Sequence, residues 1–309
     1  MNRTIIILGP TAVGKSKLAI ELAQKINGEI ISADSMQVYR GMDIGTAKPT
    51  ADEQEGIPHH LINVKNPDEE WTVFAFVEQT NKLIAEISKR CKTPIVIGGT
   101  GLYLWSLLEG YAFPIAPSDK KIREKLEKTP LPTLYSLLST VDPKAAQKIN
   151  SNDKKRVIRA LEVYELTGKR MSELQELRAQ NTEHPSTSLG AGRAQEYILI
   201  GLTLPREQLY ERINNRVEQM IKKGLIDEVK ELLNKGYSKD LPSFQALGYK
   251  EVAEYLGGKW SKEKMIKELK KRTRHFARRQ MTWFKRFKNV KWFDGQLDVE
   301  AILRYINNV

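Results

Sequence analysis

The residues with the clearest chemistry form a loop near the N-terminus that fits the pattern GxxxxGK[ST]. The loop consists of Gly9, Pro10, Thr11, Ala12, Val13, Gly14, Lys15 and Ser16. Its glycines allow backbone N–H groups to wrap an oxyanion, Lys15 can neutralise phosphate, and Ser16 can ligate magnesium. An apolar β-branched run precedes the loop and a helical pattern follows it, as a phosphate-binding P-loop requires. The sequence therefore predicts a phosphate or nucleotide site, of the kind that ATP-binding proteins carry.

The end of a second strand-like run disfavours the commonest P-loop reaction. An ordinary nucleotide hydrolase has an Asp at such a strand end, where it holds magnesium. In this sequence the run at 94–97 passes instead into Gly98, Gly99, Thr100 and Gly101. An ordinary ATPase is therefore a poor fit.

An acidic residue follows a different predicted strand, in the segment Asp34, Ser35, Met36 and Gln37. Loops at the carboxyl ends of parallel strands share one crevice, so we expect Asp34, Thr100 and the P-loop to converge. A carboxylate beside bound diphosphate can act as a base or hold magnesium. A helix N-cap or loop role for Asp34 is the alternative.

Arg216 lies on the edge of an apolar helical stripe. The segment 206–223 repeats apolar residues at helical spacing, including Leu209, Ile213 and Val217. A solvated arginine normally faces away from such a stripe, so an inward Arg216 indicates a buried anion. The alternative is an arginine whose stem lies on the apolar surface while its charge reaches water.

Strand and helix patterns alternate along much of the chain. Strands are predicted at 4–8, 29–33, 94–98, 197–203 and 290–293. Between 114 and 195 the pattern changes to short helices separated by prolines, and ends in a predicted loop at 181–193. We therefore predict an α/β fold: a P-loop NTPase-like parallel sheet flanked by helices, built from 1–113 and 196–309, with a small helical domain inserted at 114–195.

The composition favours a polyanionic partner. Fifty Lys and Arg against 38 Asp and Glu give a net charge of +12 over 309 residues. The single cysteine, Cys91, cannot form an internal disulfide, and the apolar run at 5–8 is too short to span a membrane. We expect a cytoplasmic monomer with no membrane partner.

The segment 260–292 is the most basic part of the chain, with 13 Lys and Arg against two acids. A helical stripe is expected to pack inward, comprising Met265, Leu269, Phe276, Trp283 and Phe287. The opposite face is expected to meet phosphates, through Lys270, Lys271, Arg274, Arg278 and Lys285. Gln280 falls on the inner stripe, where its amide either faces the reaction channel or caps a neighbouring backbone group.

Four ordered motifs resemble those of the tRNA dimethylallyltransferases. They are GPTAVGKS, ISADSMQVYRGMDIGTAK, IVIGGTGLYL and FQALGYKE, and the resemblance covers essentially the whole chain. It implies transfer of a dimethylallyl group from dimethylallyl diphosphate to N6 of adenosine 37, next to the anticodon of tRNA. The diphosphate is then a leaving group, and the inserted helical domain binds tRNA.

The resemblance also implies roles for particular residues. Asp34 is the general base, Thr100 positions the reactants, and Arg216 joins the P-loop and Mg²⁺ in holding diphosphate. It further implies tRNA contacts by Arg123, by Lys155, Arg156, Val157, Ile158 and Arg159, and by Phe244, Gln245, Ala246, Leu247, Gly248 and Tyr249. We add Asp34, Ser35, Met36, Gln37 and Gln280 as residues placed to read bases near the reaction centre.

Three other functions share some of these features. A prenyltransferase acting on free adenine nucleotides would need neither the helical insert nor the basic surface. The P-loop is compatible with a nucleotide kinase, but the absence of an Asp at the end of the strand argues against one. A nucleotide-dependent RNA-binding switch would form no product from dimethylallyl diphosphate.

Overall fold

The computed structural model describes residues 3–109, 119–181, 196–295 and 298–309. The predicted loop at 181–193 lies outside them apart from its first residue. The chain divides into two compact units, one of Met1–Leu108 with Gly192–Val309 and one of Glu109–Ala191. No helix in these described ranges is long and apolar enough to cross a bilayer.

The first unit is built on a six-stranded sheet whose pairs are all parallel, which confirms the predicted α/β class. The strand order is β3-β2-β4-β1-β5-β6. The strands are β1 Arg3–Leu8, β2 Gly28–Ser32, β3 His59–His60, β4 Thr93–Gly98, β5 Glu196–Thr203 and β6 Lys291–Asp294. Ile5 pairs with Ile95 on one side and Ile198 on the other, so the β-branched run of β1 lies in the middle of the sheet.

Helices cover both faces of this sheet. Those of the first unit are α1 Lys15–Lys25, α2 Val73–Lys89, α3 Gly101–Glu109, α9 Arg206–Lys222, α10 Leu225–Asn234, α11 Tyr249–Leu256, α12 Lys262–Phe284 and α13 Val299–Asn308. Leu18 of α1 and Ile302 of α13 pack on one face. Phe76 of α2 and Leu104 of α3 pack on the other. Each such buried side chain contributes about 1.5–3 kcal/mol by leaving water.

A third apolar cluster holds the loop after β2 against the helices of the C-terminal half. Val38 and Met42 from that loop pack with Val217 of α9, Phe244 and Tyr249. These contacts anchor a long connection that would otherwise be mobile, and they keep its first residues at the sheet edge.

The buried face of α12 differs in part from the prediction. Met265, Leu269 and Gln280 are buried as expected, but Phe276 and Trp283 are only partly buried. The fully packed positions between and beyond them are Thr273, Ala277 and Phe284. The buried stripe therefore runs through Thr273, Ala277 and Phe284, one position further along the helix than Phe276 and Trp283 in its second half, so those two rings lie at the side of the contact.

In its described part the second unit is helical, with α4 Lys120–Glu127, α5 Leu131–Val141, α6 Pro143–Lys148, α7 Lys154–Thr167 and α8 Met171–Asn181. Asp119, Asp142 and Asp153 each accept a hydrogen bond from a backbone N–H in the first turn of a helix. Such caps explain why several short helices form in a segment interrupted by prolines.

Candidate active site

The P-loop connects the end of β1 at Leu8 to the start of α1 at Lys15, as predicted. Gly14 has a φ of 109° and Ala12 one of 66°, a backbone conformation that L side chains rarely adopt. Alternation of this kind turns successive N–H groups to one side and makes an anion-binding concavity. The loop and the N-terminus of α1 therefore present donors to the same cleft.

Lys15 has one carboxylate, that of Asp34, among the charged groups that affect its pKa. Its Nζ donates to the Pro10 carbonyl oxygen at 2.8 Å. The pKa of Lys15 falls to about 7, first because burial disfavours the charge and second because Arg216 is near, while Asp34 acts in the opposite direction. Two cations facing one carboxylate in a desolvated site indicate a place for a bound anion.

Arg216 is inward, as its position on the helical stripe predicted. Burial lowers its pKa, and Asp34 opposes that change. Its side chain lines the same cleft as Lys15 and Ser16. The neighbouring Arg212 instead donates to the Val13 carbonyl oxygen at 3.4 Å, so it supports the P-loop from outside.

The structure brings Asp34 and Thr100 together from the ends of neighbouring strands. Asp34 Oδ1 accepts from the Met36 N–H at 2.8 Å, which is the local loop role considered above and also fixes the carboxylate. The Ser35 N–H donates to Thr100 Oγ1 at 3.2 Å. The Thr100 N–H donates to the Ala33 carbonyl oxygen at 3.4 Å, so the two loops are joined by backbone as well.

One cleft of about 540 Å³ joins these parts. From the predicted site it is lined by Thr11, Ala12, Gly14, Lys15, Ser16, Asp34, Ser35, Met36, Gln37, Thr100, Arg216, Gln245, Ala246, Leu247 and Gln280. A volume of this size suits a small ligand together with part of a larger one. Of the P-loop, Gly9, Pro10 and Val13 belong to the backbone turn that shapes the cleft and do not line it.

Gln37 fixes the loop in which it lies. Its Oε1 accepts from Ser32 Oγ at 2.8 Å, and its Nε2 donates to the carbonyl oxygens of Thr46 and Ala47 at 3.4 and 3.3 Å. The amide therefore joins the end of β2 at Ser32 to Thr46 and Ala47 in the loop that follows.

Glu228 and Lys48 are supporting residues that the sequence did not reveal. Glu228 accepts hydrogen bonds from the N–H groups of residues 43–45 and, at 2.6 Å, from the Tyr249 hydroxyl. Lys48 Nζ donates to the Tyr39 carbonyl oxygen at 2.6 Å, among other partners. Burial lowers the pKa of Lys48, and Asp43 opposes that change. Sequence spacing carries no signal for the Glu228 contacts with residues 43–45, which lie more than 180 residues away. The Lys48 contact with Tyr39 is nearer in the chain, but it lies in a loop that has no periodic pattern.

The segment 244–249 divides between core and cleft. Phe244 and Tyr249 are fully buried, so their side chains do not form a surface for RNA. Gln245, Ala246 and Leu247 line the cleft between them. Gly248 has a φ of 95° and begins α11, so it shapes the turn.

In the second unit, the predicted RNA-contacting residues also separate into two groups. Val157 and Ile158 are buried in its apolar core. Arg123 and Arg159 bind the carboxylate of Glu162, which is fully buried.

Lys155 and Arg156 are exposed on α7. Of the basic residues predicted on this helix, they are the most accessible to a polyanion.

Ion pairs also occupy part of the predicted basic face of α12. Lys270 binds Glu218, Lys271 lies near Glu268, and Arg274 donates to Asn214 at 2.7 Å. Arg278 and Lys285 are exposed, and no acidic group within the described ranges pairs with either. The net positive face is therefore smaller than the count of basic residues suggests.

Gln280 adopts the second of the two predicted roles, that of binding backbone groups. Its Oε1 accepts from the Thr11 N–H at 2.8 Å and its Nε2 donates to the Gly99 carbonyl oxygen at 2.9 Å. Its side chain is 4% exposed and lies at the wall of the cleft.

Comparison with known proteins places this chain in a family. The profile described as IPP transferase matches residues 37–287. The chain belongs to the IPP transferase family. A tRNA dimethylallyltransferase of Carboxydothermus hydrogenoformans is 49% identical over 99% of this chain and 96% of that protein. One of Bacillus cytotoxicus is 47% identical over 99% and 95%.

Solved structures of the family share the fold. A tRNA isopentenylpyrophosphate transferase of Bacillus halodurans is 43% identical, covers 100% of this chain and 95% of its own, and gives a TM-score of 0.71. A eukaryotic dimethylallyltransferase acting on tRNA is 34% identical, covers 98% and 77%, and gives a TM-score of 0.80. The IPP transferase fold therefore extends over both units of the chain.

Proposed function

We propose that the chain transfers a dimethylallyl group from dimethylallyl diphosphate to N6 of adenosine 37 of tRNA and releases diphosphate. The observation that carries this proposal is the single cleft in which an anion site and a carboxylate face each other. Family membership and the names of the relatives support it. Neither free-nucleotide prenylation nor a kinase reaction is favoured by those relatives.

The P-loop and Arg216 would hold the diphosphate. In the reaction the bond between the allylic carbon and the diphosphate oxygen breaks, and negative charge builds up on the leaving group. Lys15 and Arg216 are already desolvated in the cleft, so they stabilise that charge without further reorganisation.

Asp34 would accept the proton that leaves N6. The adenine amine is a poor nucleophile and becomes acidic only as its nitrogen bonds to the allylic carbon, so a base of modest strength suffices. The Met36 N–H fixes one oxygen of the carboxylate. Thr100, joined to Ser35, would hold the reactants in line for displacement.

Magnesium suits the donors of the site. Ser16 offers a hydroxyl oxygen and Asp34 a carboxylate oxygen in the same cleft, and hard oxygen ligands are those that Mg²⁺ prefers. No group of three or more His, Cys, Asp or Glu in the described residues could hold a metal ion alone. We therefore propose that Mg²⁺ binds with the diphosphate and neutralises part of its charge.

The target base must leave the anticodon stack to reach Asp34. A single-stranded loop lowers the cost of that step relative to a duplex, so the anticodon stem-loop is the proposed binding partner. The cleft-lining part of 244–249 and the exposed Lys155 and Arg156 are the proposed contacts. We further propose that the enzyme works as a monomer, in the cytoplasm where its proposed tRNA substrate is found.

The function is tested with Mg²⁺, labelled dimethylallyl diphosphate and an unmodified tRNA that has adenosine at position 37. Wild type is expected to label this tRNA but not AMP. Asp34→Ala should lose at least ~100-fold in rate, because a general base typically contributes 10²–10⁴-fold. A tRNA with guanosine at position 37 is the matched substrate control. Label on AMP would support the nucleotide prenyltransferase instead, and no label on either acceptor would exclude the proposed reaction.

A further inference from the structure

The side-chain amide of Gln280 joins two loops of the cleft that come from different strands. One partner, the Thr11 N–H, belongs to the P-loop after β1. The other, the Gly99 carbonyl oxygen, precedes Thr100 in the loop after β4. The amide therefore links the loop that would hold the leaving group to the loop that meets Ser35 and Asp34.

The Gln280 link lies just beyond the last backbone pair between β1 and β4. Leu8 and Gly98 form the last pair between β1 and β4. A primary amide has one carbonyl acceptor and N–H donors in a plane, as a peptide group has. Gln280 thus binds Thr11 on one side and Gly99 on the other, in the way that a peptide group of an inserted strand would.

Glycines in the second loop show how closely α12 is docked. A Cβ at Gly99 would lie 2.2 Å from Gln280 Nε2, and a Cβ at Gly101 would lie 2.6 Å from Trp283 Cβ. Neither distance is possible without movement of the helix or the loop. The Gly-Gly-Thr-Gly sequence therefore fits a loop on which α12 lies directly.

We propose that Gln280 is a positioning residue that sets the separation between the diphosphate on the P-loop and the adenine amine beside Asp34, and that it is not a tRNA contact. The inference rests on the proposed function for the identity of the reactants. The hydrogen bond to Gly99 is buried and the one from Thr11 is partly buried, so replacing the amide moves the loops relative to each other. A displacement of about 1 Å between reacting groups can cost roughly 100-fold in rate.

Gln280→Glu is the most specific test because it replaces the amide NH₂ donor with an oxygen and leaves the side-chain volume almost unchanged. A carboxylate still accepts from the Thr11 N–H but cannot donate to the Gly99 carbonyl oxygen. Protonation restores an O–H donor, and burial favours the protonated form. We expect kcat to fall roughly 100-fold at about pH 8 with little change in the KM for tRNA, and to recover relative to wild type as the pH is lowered.

Two further variants make the pH profile specific. Lys15, Asp34, Arg216 and Arg279 also line the cleft, so each rate is compared with wild type at the same pH. Gln280→Met has neither donor nor acceptor and should stay slow at every pH. Gln208→Glu makes the same charge change at an exposed position of α9 and should follow wild type.

The outcomes separate positioning from other roles. Wild-type kcat in Gln280→Glu at pH 8, or no recovery at low pH, would overturn the inference. A raised tRNA KM with unchanged kcat in Gln280→Met would show a direct RNA contact instead. Thermal unfolding of each variant checks folding, and Gln280→Asn, which keeps the amide but cannot span both partners, replaces any variant that does not fold and should also lose kcat.

Binding of magnesium pyrophosphate tests the same link independently of tRNA. Gln280→Met should bind it several-fold more weakly, because the Thr11 N–H loses its anchor. If wild type fails to modify tRNA, the proposed function fails, yet this measurement still tests the link between the loops. Unchanged affinity in Gln280→Met, with a folded protein, would overturn the inference alone.

Discussion

Lys15 is half-buried with the Arg216 cation near it, and these surroundings change how its charge varies with pH. Its pKa lies near 7 in the folded, unliganded chain against an ordinary value of 10.5. Between these values the unfolded chain binds more protons at this residue than the folded chain. The contribution of Lys15 to the free energy of unfolding therefore rises as pH increases through this window.

Diphosphate should reverse the depression of this pKa, because the anion stabilises the ammonium form. Above about pH 7, binding of pyrophosphate is then expected to take up a proton and to weaken by up to tenfold per pH unit. Calorimetry in two buffers with different ionisation enthalpies measures the uptake directly. Lys15→Met should remove this proton uptake, and equal uptake in both proteins would contradict the assignment.

Local patterns predicted the side chains that could do chemistry but not the side chains that hold them in place. The P-loop, Asp34, Thr100 and the inward Arg216 are readable because each is marked by a short motif or a helical stripe. Gln280 was recognisable only as an amide on a buried face. Its partners lie 269 and 181 residues away, and no spacing rule connects such positions.

Among the elements, the loop after β2 depends on one carboxylate of α10. Glu228 accepts three backbone hydrogen bonds from residues 43–45 and one from the Tyr249 hydroxyl. Burial raises the pKa of Tyr249, and the Glu228 carboxylate beside the hydroxyl raises it further. The same loop provides the carbonyl oxygens that hold Gln37, so its anchor also orients the cleft wall.

Glu228→Gln should lower the free energy of unfolding by about 2–3 kcal/mol. The new amide NH₂ group would face backbone N–H groups of residues 43–45, and the charge-assisted hydrogen bonds would be lost. Tyr249→Phe is the matched variant and should cost about 1 kcal/mol, since it removes one hydroxyl and leaves the ring packed. Urea unfolding of both proteins measures the difference. Equal losses would mean that the contacts with residues 43–45 contribute nothing measurable.

Element types and their order followed from periodicity, whereas contacts between elements did not. The five long strands were predicted to within one or two residues at each end, because their apolar runs are bounded by glycine and polar residues. The two-residue strand His59–His60 has no such pattern; it is defined by pairing with β2 at Ile30 and Ile31. The inward face of α12 is displaced by one residue from the stripe predicted at Phe276 and Trp283, because the spacing of large apolar residues does not show which side of a helix its neighbours cover.

For the molecule as a whole, net charge is the property that most affects an RNA partner. Some of the basic residues that contribute to the net charge of +12 form ion pairs within the protein, as Arg123 and Arg159 do with Glu162. Burial raises the pKa of that glutamate, but hydrogen bonds from Arg123, Arg159 and the Asp119 N–H outweigh burial and lower the pKa, so Glu162 remains charged. Exposed cations without a buried acidic partner are the ones expected to bind phosphates. Lys155 is one, and Arg156 is another because it pairs, at 3.4 Å, with Asp153, which is not buried.

The variant Lys155→Ala with Arg156→Ala should weaken tRNA binding and flatten its salt dependence. Each phosphate contact contributes about 0.7–0.9 to the slope of log affinity against log salt, so the double variant should lose between one and two units. Filter binding across a salt series measures the slope. Lys89→Ala with Lys230→Ala removes the same charge from exposed positions of α2 and α10 and should alter the slope less.

The strand order has a consequence for synthesis of the chain. β1 pairs with β4, complete by Gly98, but its other neighbour begins only at Glu196. At ribosomal speeds of about 5–20 residues per second, roughly 5–20 seconds separate these events. During that interval the apolar edge of β1 is unpaired on the nascent chain, while the short-range helical contacts of the second unit can form. Synthesis of the insert therefore delays completion of the sheet. This order of strands exposes the nascent chain to aggregation during translation.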